Sequence, residues 1–133
     1  MRLFVDTSAW FALHDTRDQN HKEAIAKSLE IKRRKIELVT SEYIIDESIS
    51  LIRHKISHQA AVIFGESLLF SNIVMILDIS HEDRLKAWEL FKKYEDKSFS
   101  FTDCTSFVLM KNSGVRKAFT FDEHFKQVGM DIF

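Results

Sequence analysis

Four acidic positions in this 133-residue chain stand where chemistry could be done. Asp6 ends the short apolar run Arg2 to Val5, and Asp122 ends the run Lys117 to Phe121. Asp103 opens an apolar stretch after the segment Ser98 to Thr102. Glu47 borders the apolar face of a helix expected from residue 41 to about residue 56. Asp46 borders the other side of that face, and periodicity does not choose between the two. An acid at a helix start is favoured by the helix dipole, so an ordinary cap would explain any one of these Asp residues alone. Three together at strand-to-helix transitions suggest more, because ligands of an open parallel sheet bind beyond the carboxyl ends of its strands. Carboxylates crowded there repel, and some stay protonated unless a cation sits among them. Oxygen-only ligands suit Mg²⁺ or Mn²⁺ rather than zinc. Such an ion held at a cleft hydrolyses phosphodiesters.

The elements that must carry these acids follow from the apolar pattern. Strands are expected over 2–5, 36–39, 73–79 (as a buried strand), 117–121 and 130–133. Helices are expected over 8–13, with Thr7 or Ser8 as cap, and over 21–34, capped by Asn20 and with Ala24, Ala26, Ile25 and Leu29 facing inward. Further helices are expected from Thr40 or Ser41 to Ile56 (with Ile45, Ile49, Ile52 and Ile56 in one stripe), over 58–70, from Ser80, over 102–112 before Gly114, and over 122–127. Strands alternating with amphipathic helices predict an α/β sandwich around a largely parallel sheet, in one domain over residues 1–133.

Composition narrows the function classes. Lys and Arg number 19 and Asp and Glu 20, so a strongly basic nucleic-acid binder is not indicated. Twelve Phe residues and no Pro exclude a disordered or Pro-rich chain. The lone Cys104 cannot form an intrachain disulfide and reads as a small helix residue, consistent with a reducing cytoplasm. No signal peptide and no membrane-length apolar run are present. Gly-rich phosphate loops of the P-loop or dinucleotide type are absent.

Read together, the motifs resemble those of PIN-domain ribonucleases, the family that includes the VapC toxins of toxin–antitoxin pairs. Phe4-Val5-Asp6-Thr7-Ser8-Ala9-Trp10 resembles the family's opening. Ser41-Glu42-Tyr43-Ile44-Ile45-Asp46-Glu47 resembles its second motif, with Glu47 as the acid before Asp46. Ser100 to Phe107 resembles the third, with Asp103, and Ala118 to Phe125 the closing one, with Asp122. The resemblance implies a PIN-like α/β/α sandwich and Mg²⁺- or Mn²⁺-dependent endonucleolytic cleavage of RNA. It implies that Asp6, Glu47, Asp103 and Asp122 form the catalytic and metal site, with Asp6 and Asp103 as direct ligands. Thr7, Thr102 and Thr120 would support them through hydroxyl hydrogen bonds. It also implies a cognate antitoxin and a homodimer as partners, or else a stand-alone nuclease in RNA processing.

Other features have plainer explanations. The run Lys32-Arg33-Arg34-Lys35 is expected to be a solvated helix end before it is an RNA grip. Arg53, His54, Lys55, Arg116 and Lys117 are better placed to rim a cleft. The six His show no zinc spacing, and Trp10, Phe11, Phe107 and Phe125 read as core. The apolar helices over 41–56 and 58–70 could cover a core or meet a partner. A receiver-like signalling domain needs a second acid beside Asp6 and a Lys where Asp122 stands. A non-catalytic PIN-like binding module would not need the acids intact.

Overall fold

The computed structural model describes all of residues 1–133. The chain runs through β1 (Arg2–Val5), α1 (Thr7–His14), α2 (His21–Arg34), β2 (Glu37–Ser41), α3 (Glu42–Lys55), α4 (His58–Leu69), β3 (Val74–Leu77), α5 (His81–Lys93), α6 (Phe101–Ser113), β4 (Lys117–Phe119), α7 (His124–Gln127) and β5 (Asp131–Ile132). The five strands form one sheet in the order β3-β2-β1-β4-β5, and every neighbouring pair is parallel. Parallel neighbours need crossovers, which in such sheets are right-handed. The chain steps one way from β1 to β3 and the other way from β3 to β5, so α1–α4 cover one face and α5–α7 the other. This is the expected α/β/α sandwich. The order reverses between β1 and β4, which fixes the switch point where such sheets open a crevice.

Local chemistry sets the helix starts. Ser41, Ser57, Ser80 and Ser100 each accept a backbone N–H three residues on. At Ser80 and Ser100 an Asp at the third helical position bonds back, completing a capping box. Gly114 ends α6 at φ 70°, in the left-handed region where a Cβ would be strained. The central layer is apolar: Leu3, Phe4, Val5, Val39, Ala118 and Phe119 are buried in the strands. Helix α6 is buried without interruption from Asp103 to Met110, which makes it an inner helix overlain by α5.

Several expectations need correction. The run 73–79 is not a buried strand: β3 is an edge strand, with Ile73 and Met75 exposed, since an apolar run does not distinguish edge from centre. On α2, Ala24 and Ile31 are buried, while Ile25, Ala26 and Leu29 face outward. Asn20 precedes α2 without a capping side-chain bond. Neither Thr7 nor Ser8 caps α1: Asp6 occupies the cap position, extended and with no side-chain cap bond, leaving its carboxylate free for other partners. β4 ends at Phe119, and residues 120–123 form the turn that carries Asp122.

Candidate active site

Asp6, Glu47, Asp103 and Asp122 line one cavity of about 290 Å³. Asp6 is delivered by the end of β1, Glu47 by the second turn of α3, Asp103 by the first turn of α6 and Asp122 by the turn after β4. Thr7, Ser8, Phe11, Asp18, Asn20 and Leu51 complete the wall. Glu47 reaches the cavity and Asp46 is exposed to solvent, which separates the pair that periodicity left open. A larger cavity, about 450 Å³ beneath α2, is mostly apolar, with Lys32 and Lys35 its only charged lining residues.

Asp6 is 4 % exposed and tightly held. Thr120 Oγ1 donates to Asp6 Oδ2 at 2.8 Å and Ser8 Oγ donates to the same oxygen at 3.0 Å. Those two hydroxyls then accept from the β4–α7 turn: Phe121 N–H donates to Ser8 at 2.9 Å and Asp122 N–H to Thr120 at 3.0 Å. The first strand is thereby wired to the segment bearing Asp122. Burial pushes the Asp6 carboxyl up to about 6, and the nearby Asp103 charge adds to the rise; hydrogen bonds from Thr120, Ser8 and the Thr7 backbone oppose it.

Asp103 closes the capping box of α6: Ser100 N–H donates to its Oδ2 at 2.9 Å, and its own N–H donates to Ser100 Oγ at 3.0 Å. His124 sits between two acids, its Nδ1 2.9 Å from Asp103 Oδ2 and 3.1 Å from Asp122 Oδ2. The His124 N–H donates to Asp122 Oδ1 at 3.0 Å. Cys104 follows Asp103 but is fully buried, and burial with the Asp103 charge pushes its thiol up to about 11, which removes it as a nucleophile.

Sequence reasoning passed over Ser8, Asp18 and His124. Ser8 could have been found as the residue two after Asp6, within turn-bonding reach. His124 lies two residues from Asp122 but 21 from Asp103, so its contact with Asp103 exists only in the fold. Of the supporting threonines, Thr120 bonds Asp6, whereas the Thr102 side chain makes no hydrogen bond to the site and Thr7 Oγ1 is buried without a partner. Phe11, expected in the core, is half-buried and lines the acid cavity. The Lys32–Lys35 run precedes β2, and Arg116 and Lys117 lie at the start of β4. Both groups therefore lie at the amino edge of the parallel sheet, opposite the acids. Lys55 has its Nζ 5.9 Å from the ring centre of Phe11, one of the residues lining the cavity.

The donor set fits a hard divalent cation. Every acid presents oxygen, two of the carboxylates are nearly buried, and the Thr7 hydroxyl in the wall has no protein partner. Buried acids brought this close are costly to ionise without a cation.

The PIN domain family profile matches residues 3–130 of this chain. The chain belongs to the PIN-domain family. As a PIN domain it is 31% identical over 127 residues to the 23S rRNA-specific endonuclease VapC20 of Mycobacterium tuberculosis, covering 96% of this chain and 94% of that protein. The crystal structure of VapC20, described as a Sarcin-Ricin loop cleaving toxin, superposes with a TM-score of 0.87 at 29% identity over 96% of this chain and 95% of that one. The PIN fold also matches VapBC2 from Rickettsia felis bound to a promoter DNA fragment, with TM-score 0.72, 13% identity and coverage of 100% and 98%. FitAcB from Neisseria gonorrhoeae matches with TM-score 0.63, 14% identity and coverage of 100% and 96%. At those identities the last two bear on the fold alone.

Proposed function

We propose that this chain is a Mg²⁺- or Mn²⁺-dependent endoribonuclease and the toxin of a toxin–antitoxin pair, with Asp6, Glu47, Asp103 and Asp122 as its catalytic and metal-holding residues. The observation that carries this is the convergence of four acids from four separate segments on one cavity at the switch point of the sheet. The VapC20 relative, similar over nearly the full length of both chains, supports RNA as substrate, and the description of its crystal structure as a toxin supports an antitoxin as partner. It makes structured ribosomal RNA the first substrate to test.

Asp6 and Asp103 would hold the cation most directly, since their free Oδ1 atoms accept no side-chain hydrogen bond. A divalent ion supplies charge neutralisation and polarisation of a phosphoryl oxygen. The chain's own residues do the rest. Ser8 and Thr120 orient Asp6, the α6 capping box orients Asp103, and the turn after β4 presents Asp122. Glu47, half-buried and with no hydrogen-bonding or ionic partner, is the group free to accept a proton from an attacking water. Lys55 at the rim is placed to meet a backbone phosphate.

Cleavage of ribosomal RNA by the full chain is expected with Mg²⁺ or Mn²⁺ and not with chelator. Asp6→Asn and Asp103→Asn chains that are folded by circular dichroism should not cut. Equal cutting by these variants, or by the parent in chelator, would remove the mechanism. Two exposed apolar surfaces, Val62, Ile63, Leu69 and Phe70 near the β3 edge and Leu85, Trp88 and Phe91 on α5, support protein partners. An antitoxin and a second copy of the chain are the proposed ones. Sedimentation should give a dimer, and a short neighbouring reading frame should relieve toxicity on co-expression. No helix is long and apolar enough to cross a membrane.

A further inference from the structure

His124 bridges two of the acids that line the cavity, and its hydrogen bonding decides what it can be. Its Nδ1 faces two carboxylate oxygens, Asp103 Oδ2 at 2.9 Å and Asp122 Oδ2 at 3.1 Å. Ionised carboxylates only accept, so the nitrogen between them must carry the proton. A ring nitrogen that ligates a metal must present its lone pair instead, and both of these hydrogen bonds would be lost. The other nitrogen, Nε2, is directed to Ser98 Oγ at 3.3 Å, and the ring stands edge-on to Phe99 with centres 5.3 Å apart. Nδ1 is therefore not free to ligate, although the ligand atoms of Asp103, Asp122 and His124 lie within 4.8 Å of one another, and Nε2, on the far side of the ring, meets Ser98 instead of the acids.

The acids show a matching pattern. Oδ2 of Asp103 is claimed by Ser100 N–H and His124, and Oδ2 of Asp6 by Ser8 and Thr120. In each, Oδ1 accepts from no side chain. Asp122 is held at both oxygens, Oδ2 by the His124 ring and Oδ1 by the His124 backbone N–H.

We propose that His124 is a positioning residue: its Nδ1–H ties down Oδ2 of Asp103, so that Oδ1 of that acid stays turned toward the cation, and ties Asp122 in place beside it, and it is not itself a ligand. This role rests on the metal-dependent site proposed above.

The test is Mn²⁺ binding to the full chain by calorimetry, with pulsed electron paramagnetic resonance of the bound ion. An Asn side chain places its amide N–H near the position of Nδ1, and a Gln does not. His124→Ala and His124→Gln are expected to weaken Mn²⁺ binding by about tenfold or more, the usual range for groups that orient ligands. His124→Asn should stay within about threefold of the parent, because the donor is restored. On RNA, the Ala variant should lose kcat with little change in KM. The parent's Mn²⁺ signal should show no directly coordinated imidazole nitrogen. A coordinated nitrogen that disappears in His124→Ala makes His124 a ligand and overturns the proposal, as does an Asn variant as weak as the Ala one. Parent binding that Asp6→Asn abolishes and no His124 variant alters overturns the positioning role and leaves the metal site standing. A parent chain that binds no Mn²⁺ overturns both.

Discussion

Asp103 and Glu47 look into the same cavity from α6 and α3, yet they are held in opposite ways. Asp103 is 8 % exposed, lies in the first turn of a helix buried over most of its length, and is fixed by Ser100 and His124. Glu47 stands in mid-helix, half-buried, with neither a hydrogen bond nor an ion pair. The first carboxylate serves the fold and the site together. The second serves the site alone. The cavity thus combines a tethered acid with an untethered one, and in the proposed reaction the first stays fixed while the second takes up a proton.

Several substitutions would break or sharpen this contrast. The largest effect is expected at Asp103: Asp103→Asn should lower RNA cleavage by more than about a hundredfold and also lower the melting temperature, because a charge favoured by the helix dipole is lost. A melting temperature equal to the parent's would show that Asp103 is no more structural than Glu47. Next comes Asp6, the other tethered acid. Its carboxyl titrates at about 6 in the folded chain against an ordinary 3.8, so the folded chain keeps a proton that the unfolded chain has already released. That contribution to stability is complete below the ordinary value and is lost as pH rises through 6. In chelator, Asp6→Asn should therefore unfold at higher urea than the parent at pH 8, by up to about 3 kcal/mol, with the gain gone near pH 4. A constant gain across pH would mean that burial of the charge is not its source.

Glu47→Gln should cost about tenfold or more in cleavage with an unchanged melting temperature, measured on the same preparation. A clear loss of stability would place Glu47 with Asp103 after all. Ser100→Ala should remove one arm of the capping box and cost about 1 kcal/mol in denaturant unfolding, with a smaller loss of activity from a loosened Asp103. The smallest effect is expected at Asp46: Asp46→Asn, one residue from Glu47 and exposed, should change neither rate nor stability.

The sequence made Asp6, Asp103 and Asp122 legible because the ends of apolar runs and Ser-x-x-Asp caps are local signals. The sheet was legible as parallel because its strands alternate with amphipathic helices. What stayed hidden depends on distant partners. Glu47 and Asp46 flank the same apolar stripe, so periodicity left them open; the motif resemblance named Glu47, and the packing of α3 against α1 is what brings it to the cavity. His124 gains its meaning from Asp103, far away in sequence. Ile25 and Leu29 fit an inward stripe as well as an outward one, and Ile73 to Leu77 is as apolar as a central strand while lying at the edge. Arg116 and Lys117, expected at the cleft, were misjudged for a topological reason: residues at the start of β4 must emerge at the amino edge of the sheet, as does the Lys32–Lys35 run that ends α2.

The oxygen of Asp6 is secured by a hydroxyl that arrives 114 residues later in the chain. Nine-tenths of these 133 residues must therefore be made before the cleft gains its final wall, and every nascent product that stops before Thr120 lacks Thr120, Asp122 and His124 together. Premature termination before Thr120 should leave a fragment without the full set of acids, and the order of synthesis keeps the cavity unassembled until its last segment has emerged.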